Sequence, residues 1–317
     1  MNNGLLEKVG LSFYNEKDFF PKEVVLRKGK HTVVWVHRPS GHGILDPENW
    51  EHDEYYEEEY RQEFSANSDG KKNETDEHFN IFRELNKKQF DTFSDVLQQD
   101  TNFLEVGPSH GGIIDYVINK GVKSCHAVEP NKEDASYLQE KYSDLYVHNS
   151  LLEKAKLQND YYDVAVSFEV LEHTVCPLMF LSAIKGSLKK GGTLVLEVPN
   201  HNDVLLSCYK EEISYKDFYY HKAHIHYFTP TSLSDLCRYC GFKGEVSSFL
   251  MYPFFNHVFW HQNLGPQPTA EIALSTPKPT NSWAIINDFY KKVEKEYEKL
   301  INVNMIGDCL IYRGKKV

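Results

Sequence analysis

The stretch Glu105-Val106-Gly107-Pro108-Ser109-His110-Gly111-Gly112 closes the apolar run Asn102–Val106 and opens a helical pattern that continues through Tyr116 and Val117. A strand that ends in a glycine loop and passes straight into a helix is the opening unit of a doubly wound α/β sheet. Glycine lets the backbone approach a ligand closely, and the following helix N-terminus presents free N–H groups. The loop alone does not name its ligand. Gly107, Ser109 and Gly112 also imitate a dinucleotide pattern, with serine at the second glycine.

Working outward, strands and helices alternate. A second strand, Ser124–Val128, ends at Glu129, and a helix around Ala135–Lys141 leads to a short strand, Tyr146–His148. Tyr162–Phe168 is an apolar run suited to a buried central strand. Pro177–Leu188 reads as a helix, Lys189–Gly192 as its turn and Thr193–Val198 as a fifth strand. Pro230–Cys240 is a helix that Thr229 or Thr231 can cap and Gly241 stops. A last strand, Cys309–Tyr312, returns to the sheet.

On the N-terminal side, Phe79, Phe82, Leu85, Phe90, Phe93 and Leu97 predict a helix over Glu77–Leu97, and Ser65–Asn73 reads as a linker. On the C-terminal side, Met251–Gly265 is aromatic and irregular, 266–279 is a loop, and Ser282 can cap a helix striped by Ile286, Phe289, Tyr290, Val293, Tyr297 and Leu300. The expected organisation is an accessory segment over 1–75, a core over 76–250, and an aromatic and helical insertion with a final strand over 251–317.

Composition fits that picture. With 41% hydrophobic residues in 317, including 19 Phe and 20 Tyr, the chain can bury a sizeable core. A net charge of -11 disfavours nucleic acid and anionic lipid, so a small molecule is the expected partner. Arg27-Lys28-Gly29-Lys30 is short enough to be a solvated turn, and the acidic stretch Glu51–Glu63 reads as an amphipathic helix with a wet face. No run reaches the ~18 apolar residues of a membrane span. Met1–Lys8 carries no basic-then-apolar export signal, so a cytoplasmic protein is expected. Cys237 and Cys240 share a helix face, without the second pair a zinc site needs, and read as core.

Two carboxylates narrow the ligand. Glu105 stands at the strand end beside the first glycine, where it repels a pyrophosphate but welcomes a cationic amino group. Glu129 ends the next strand, where a carboxylate can accept both hydroxyls of a ribose. A nicotinamide cofactor explains Glu129 equally well but makes Glu105 a liability.

With those residues in place, the core resembles the class I S-adenosylmethionine-dependent methyltransferases, especially the branch of ubiquinone-type and cell-surface sugar methyltransferases. The matching pieces are Leu104–Gly111, Val128-Glu129-Pro130, Tyr162–His173, Lys190–Leu194 and His226–Leu233 followed by Gly241-Phe242. The resemblance implies a Rossmann-like, mostly parallel sheet with a reversed last strand. It implies that Gly107, Ser109 and Gly111 meet the methionine part, Glu129 the ribose, and Ser150 and Leu151 the adenine. Phe168 and Glu169, at the end of the central strand, complete the expected cofactor shell. Many relatives carry aspartate where Ser150 stands. Val36–Gly43 resembles a zinc knuckle in place but lacks its cysteines, so no zinc is expected at His37 or His42.

Methyl transfer to oxygen or nitrogen also needs a base for the acceptor's proton. His173 is the first candidate, with His224 or His226 next, all expected at the same sheet edge. Relatives with a similar run imply a further possibility, a divalent metal held by Glu169, Glu172, His173 and His224. The faint resemblance of Met251–His261 to sugar methyltransferases favours a hydroxyl of a nucleotide sugar or another glycan precursor as acceptor. A phenolic quinone precursor is the alternative acceptor, and an NAD(P)-dependent sugar-modifying enzyme the alternative class.

Overall fold

The computed structural model describes residues 4–27, 29–50, 55, 79–208, 215–263, 265–275 and 284–317. The expected amphipathic helix over Glu51–Glu63, apart from the buried Tyr55, and the linker over Ser65–Asn73 lie outside them, as does the capping role of Ser282.

Seven strands form the main sheet. In chain order they are β4 (Asn102–Val106), β5 (Ser124–Val128), β6 (Leu145–His148), β7 (Tyr162–Phe168), β8 (Leu188–Pro199), β10 (Phe242–Phe249) and β11 (Cys309–Lys316). Across the sheet the order is β10-β11-β8-β7-β4-β5-β6. The β4, β5, β6, β7 and β8 neighbours pair in parallel, whereas β11 runs antiparallel between β8 and β10. This is a Rossmann-like doubly wound sheet with a reversed last strand, as expected. The chain order reverses between β4 and β7, so ligands belong at the carboxyl ends of those two strands.

A four-stranded antiparallel sheet stands beside it, made of β1 (Phe19–Val25), β2 (His31–His37), β3 (Gly43–Leu45) and β9 (His226–Tyr227). The sheet joins the N-terminal segment to the segment after β8, because Ile44 pairs with His226 and Gly43 with Tyr227. Leu5, Leu6, Val9, Leu11 and Ile44 share one hydrophobic cluster with Leu104, Val106 and Leu196 of the main sheet.

Helices cover both faces. Ile113, Ile114 and Val117 of the helix Gly112–Asn119 are buried, each stabilising by roughly 1.5–3 kcal/mol relative to exposure. The helix Pro230–Tyr239 starts with the expected Thr229 cap: its side chain accepts the N–H of Ser232, and the Ser232 hydroxyl accepts the N–H of Thr229. Cys237 and Cys240 are buried in that helix's core cluster.

Several sequence expectations need correction; among them, the expected turn Lys189–Gly192 lies within β8, and the expected loop over 266–279 contains the short helix Ala270–Ala273. The helix expected over Glu77–Leu97 is present at 79–81, breaks at Phe82, resumes over Arg83–Asp91 and gives way to a single 3-10 turn at Ser94–Val96. The hydroxyl of Thr92 donates to the carbonyl of Gln89 at 2.6 Å, diverting the last turn. The region Met251–Gly265, expected to be irregular, contains the helix Phe254–Asn263. Its N-terminus is held from far along the chain: both oxygens of Glu294 accept the N–H of Phe254, at 3.2 and 3.0 Å. The strand Phe242–Phe249 was not anticipated, because it is an edge strand with mostly exposed side chains.

Candidate active site

Glu105 and Val106 end β4, and Gly107 turns the chain with φ +75, donating its N–H to the carbonyl of Val128 at 2.9 Å. A Cβ at Gly107 would collide with Cγ2 of Val170, so the loop passes against the end of β7 with no room for a side chain. Ser109 takes a left-handed conformation, φ 53, despite being non-glycine. Its N–H donates to Glu129 Oε2 at 3.0 Å. The other oxygen of Glu129 accepts the N–H of Asn131 at 2.9 Å, so one carboxylate ties the loop to the end of β5. A carboxylate has about four acceptor sites, which leaves room for ribose hydroxyls.

Glu105 is different. It is 3% exposed, and its Oε2 has no hydrogen-bond partner. Burial, together with the nearby charge of Glu129, raises its carboxyl to about 8. An orphaned buried carboxyl is costly unless a ligand completes it. A cationic α-amino group would, and a pyrophosphate would not.

Two cavities meet at this loop. One, of about 420 Å³, is lined on the nucleoside side by Glu129, Pro130, Asn131, Leu151 and Leu152. The other, of about 280 Å³, is lined by Glu105, Ser109, His110, Asn86, Gln89 and Phe168. Gly107 and Glu169 line both. That division would suit the adenosine and methionine parts that the sequence resemblance implies, meeting at Gly107 and Glu169. Ser150 and Gly111 line neither cavity, although their neighbours Leu151, His110 and Gly112 do.

Glu169 sits at the junction in a left-handed conformation, φ 56, of the kind that persists where the surroundings over-determine it. Burial raises its carboxyl to about 7, and Cys309 Sγ donates to its Oε1 at 3.5 Å. Glu197 lies within the same small group: Gln89 donates to its Oε1 at 3.1 Å, while Oε2 is buried and unpartnered.

The candidate bases divide. His173 lines the larger cavity, and its Nδ1 bonds to the carbonyl of Ala223 at 2.8 Å. That contact fixes Nδ1 as the donor and leaves Nε2 as a lone pair, 3.4 Å from Glu172 Oε1. Burial lowers the imidazole to about 4, so it is neutral, and the same burial holds Glu172 well above the usual carboxylate range. The His224 ring contacts that of His173 edge-on, with centroids 4.8 Å apart. His226 goes elsewhere. It is 1% exposed within β9, with Nδ1 3.1 Å from Nε2 of His42, and lines neither cavity.

The expected metal set divides too. Glu172, His173 and His224 bring ligand atoms within 4.8 Å of one another, whereas Glu169 groups with Glu197 and Cys309. Sequence reading missed Asn86 and Gln89, which are two polar residues among many in the helix Arg83–Asp91, and Lys8 and Phe180, which only the fold brings to the larger cavity.

A family model described as a methyltransferase domain matches residues 42–245, well over half of the chain. Among solved structures, the chain is similar to an S-adenosylmethionine-dependent methyltransferase from Archaeoglobus fulgidus, at 18% identity, TM-score 0.49, covering 74% of this chain and 94% of that one. A second, from Thermotoga maritima, gives 18% identity, TM-score 0.48 and coverage of 75% and 92%. A third, from Mesorhizobium loti, gives 12% identity, TM-score 0.48 and coverage of 71% and 96%. No curated protein matches the chain. No helix among the described residues is long and apolar enough to cross a membrane. The family match, spanning the glycine loop, both acidic strand ends and the junction at Glu169, means that the chain belongs to the methyltransferase-domain family and is an S-adenosylmethionine-dependent methyltransferase.

Proposed function

We propose that the acceptor is a hydroxyl of a sugar-containing small molecule, such as a nucleotide sugar or another glycan precursor. The observation that carries this reading is a third cavity, of about 760 Å³, which shares Leu85 and Met251 with the methionine-side cavity. Asn80, Glu84, Lys88, Glu271 and Ser275 line it with hydrogen-bonding groups. Its volume lies within the few hundred to about 1,000 Å³ usual for ligand sites. A polyhydroxylated acceptor matches that lining, whereas an apolar quinone precursor would displace water there without replacing its hydrogen bonds.

S-adenosylmethionine, when bound, supplies an electrophilic methyl group on a sulfonium. Glu105 holds the α-ammonium, Glu129 the ribose hydroxyls and Leu151 the adenine face. With the acceptor body in the third cavity, its reacting hydroxyl must extend to the junction at Glu169, a residue that joins the methionine-side cavity to the cavity His173 lines. There His173 Nε2 accepts its proton, and Ala223 keeps the imidazole in the tautomer that can do so. Glu172 Oε1, 3.4 Å from that nitrogen, stabilises the cation that His173 becomes. The set Glu172, His173 and His224 would also suit a divalent cation.

The test is incubation with methyl-labelled S-adenosylmethionine and fractionated small-molecule extract. Label in a polar, sugar-containing product supports the reading. Label only in a lipid-soluble phenol overturns it.

A further inference from the structure

The helix Ala284–Val303 packs one face on the body of the protein and leaves the other uncovered. Its inner side is held by Ile301, which is 1% exposed, by Tyr297 against Phe254 and His257, and by Tyr290 against Phe255. The outer side carries four large apolar side chains: Ile285 at 74% exposure, Phe289 at 58%, Leu300 at 59% and Val303 at 75%. At 3.6 residues per turn these fall on one stripe, with Lys292 and Glu296 filling the middle. Scattered surface hydrophobics need no explanation, but an aligned stripe does.

The stripe is also palindromic. A two-fold axis perpendicular to the helix at Glu294 sets Ile285 against Val303 of a second copy and Lys292 against its Glu296. Within one residue of the same register, Phe289 meets Leu300 and Asp288 meets Lys299. Isologous dimers need this self-complementarity, in which residue i meets j and j meets i. Apolar ends and opposite charges at the centre also fix the antiparallel direction, because a parallel pairing would stack like charges.

We propose that this face is a homodimer interface, two Ala284–Val303 helices packed antiparallel about a two-fold axis at Glu294. The surface is independent of which acceptor the enzyme uses.

Sedimentation velocity on the full chain over a wide concentration range tests it, with circular dichroism confirming that each variant is folded. The wild type is expected to show a concentration-dependent dimer. Lys292→Glu and Glu296→Lys, each placing like charges together, are each expected to weaken dimerisation roughly tenfold or more. The double variant restores the opposite-charge pairing and with it the dimer. Phe289→Ser weakens the dimer without affecting that rescue pattern. A wild type that stays monomeric at every concentration overturns the proposal, as does a double variant that dimerises no better than the singles.

Discussion

Glu105 and Glu129 end adjacent parallel strands, both buried, yet Glu129 has both oxygens bonded to backbone N–H groups while Glu105 keeps Oε2 without a partner. The satisfied carboxylate builds the loop. The unsatisfied one waits for a charge that the protein itself does not supply.

A pH dependence of cofactor binding follows. With the Glu105 carboxyl at about 8 before binding, capture of an ammonium requires it to lose a proton. Affinity for S-adenosylmethionine should therefore rise with pH, approaching about tenfold per unit below pH 8, and fall again above it as the ligand's own α-amino group loses its proton. Glu105→Gln should flatten that profile. The stability sign is the reverse: the folded carboxyl lies above its usual 4.5, so its contribution to stability falls as pH rises from 4.5 towards 8. Titrations and thermal melts across that range measure both.

Glu129→Ala should cost both binding and stability. It removes the ribose acceptor and releases the N–H groups of Ser109 and Asn131. Hydrogen bonds to a charged group contribute roughly 1.5–3 kcal/mol each, so a lowered melting temperature should accompany about a hundredfold loss of affinity. Calorimetry of the variant checks the two together.

Gly107→Ala should abolish cofactor binding, because the added methyl strikes Val170 and the φ of +75 disfavours any side chain. Pairing it with Val170→Ala removes the clash but not the backbone strain. The double variant should therefore recover only part of the affinity, as read by equilibrium dialysis.

His173→Ala should lower kcat by roughly 10²–10⁴-fold with little change in the affinity for S-adenosylmethionine. His226→Ala should act through stability instead, because His226 is packed against His42 rather than the cavity. Dialysis against EDTA should leave activity unchanged. Steady-state assays beside melting curves separate these outcomes.

The sequence was most legible where local chemistry settles structure. β4, β5 and β7 begin and end where the apolar runs do, and the cap at Thr229 was one of the two threonines the sequence offered, beside Thr231. Glu105, Gly107 and Glu129 were legible because strand ends in this topology converge. What escaped reading depends on distant partners. The helix at Phe254 is capped by Glu294, and His226 reaches His42 through the pairing of Ile44 with its own strand. Nothing local announces either. The clustering of Glu169 with Glu197 and Cys309 likewise joins three strand ends that are remote in the chain.

The most direct test of the central claim is calorimetric titration of the wild type and Glu105→Gln with S-adenosylmethionine, in buffers of differing ionisation enthalpy at neutral pH. Binding in the wild type is expected to release a proton, and Glu105→Gln to bind more weakly with no release. Wild-type binding that releases no proton, or that Glu105→Gln leaves unchanged, would contradict it.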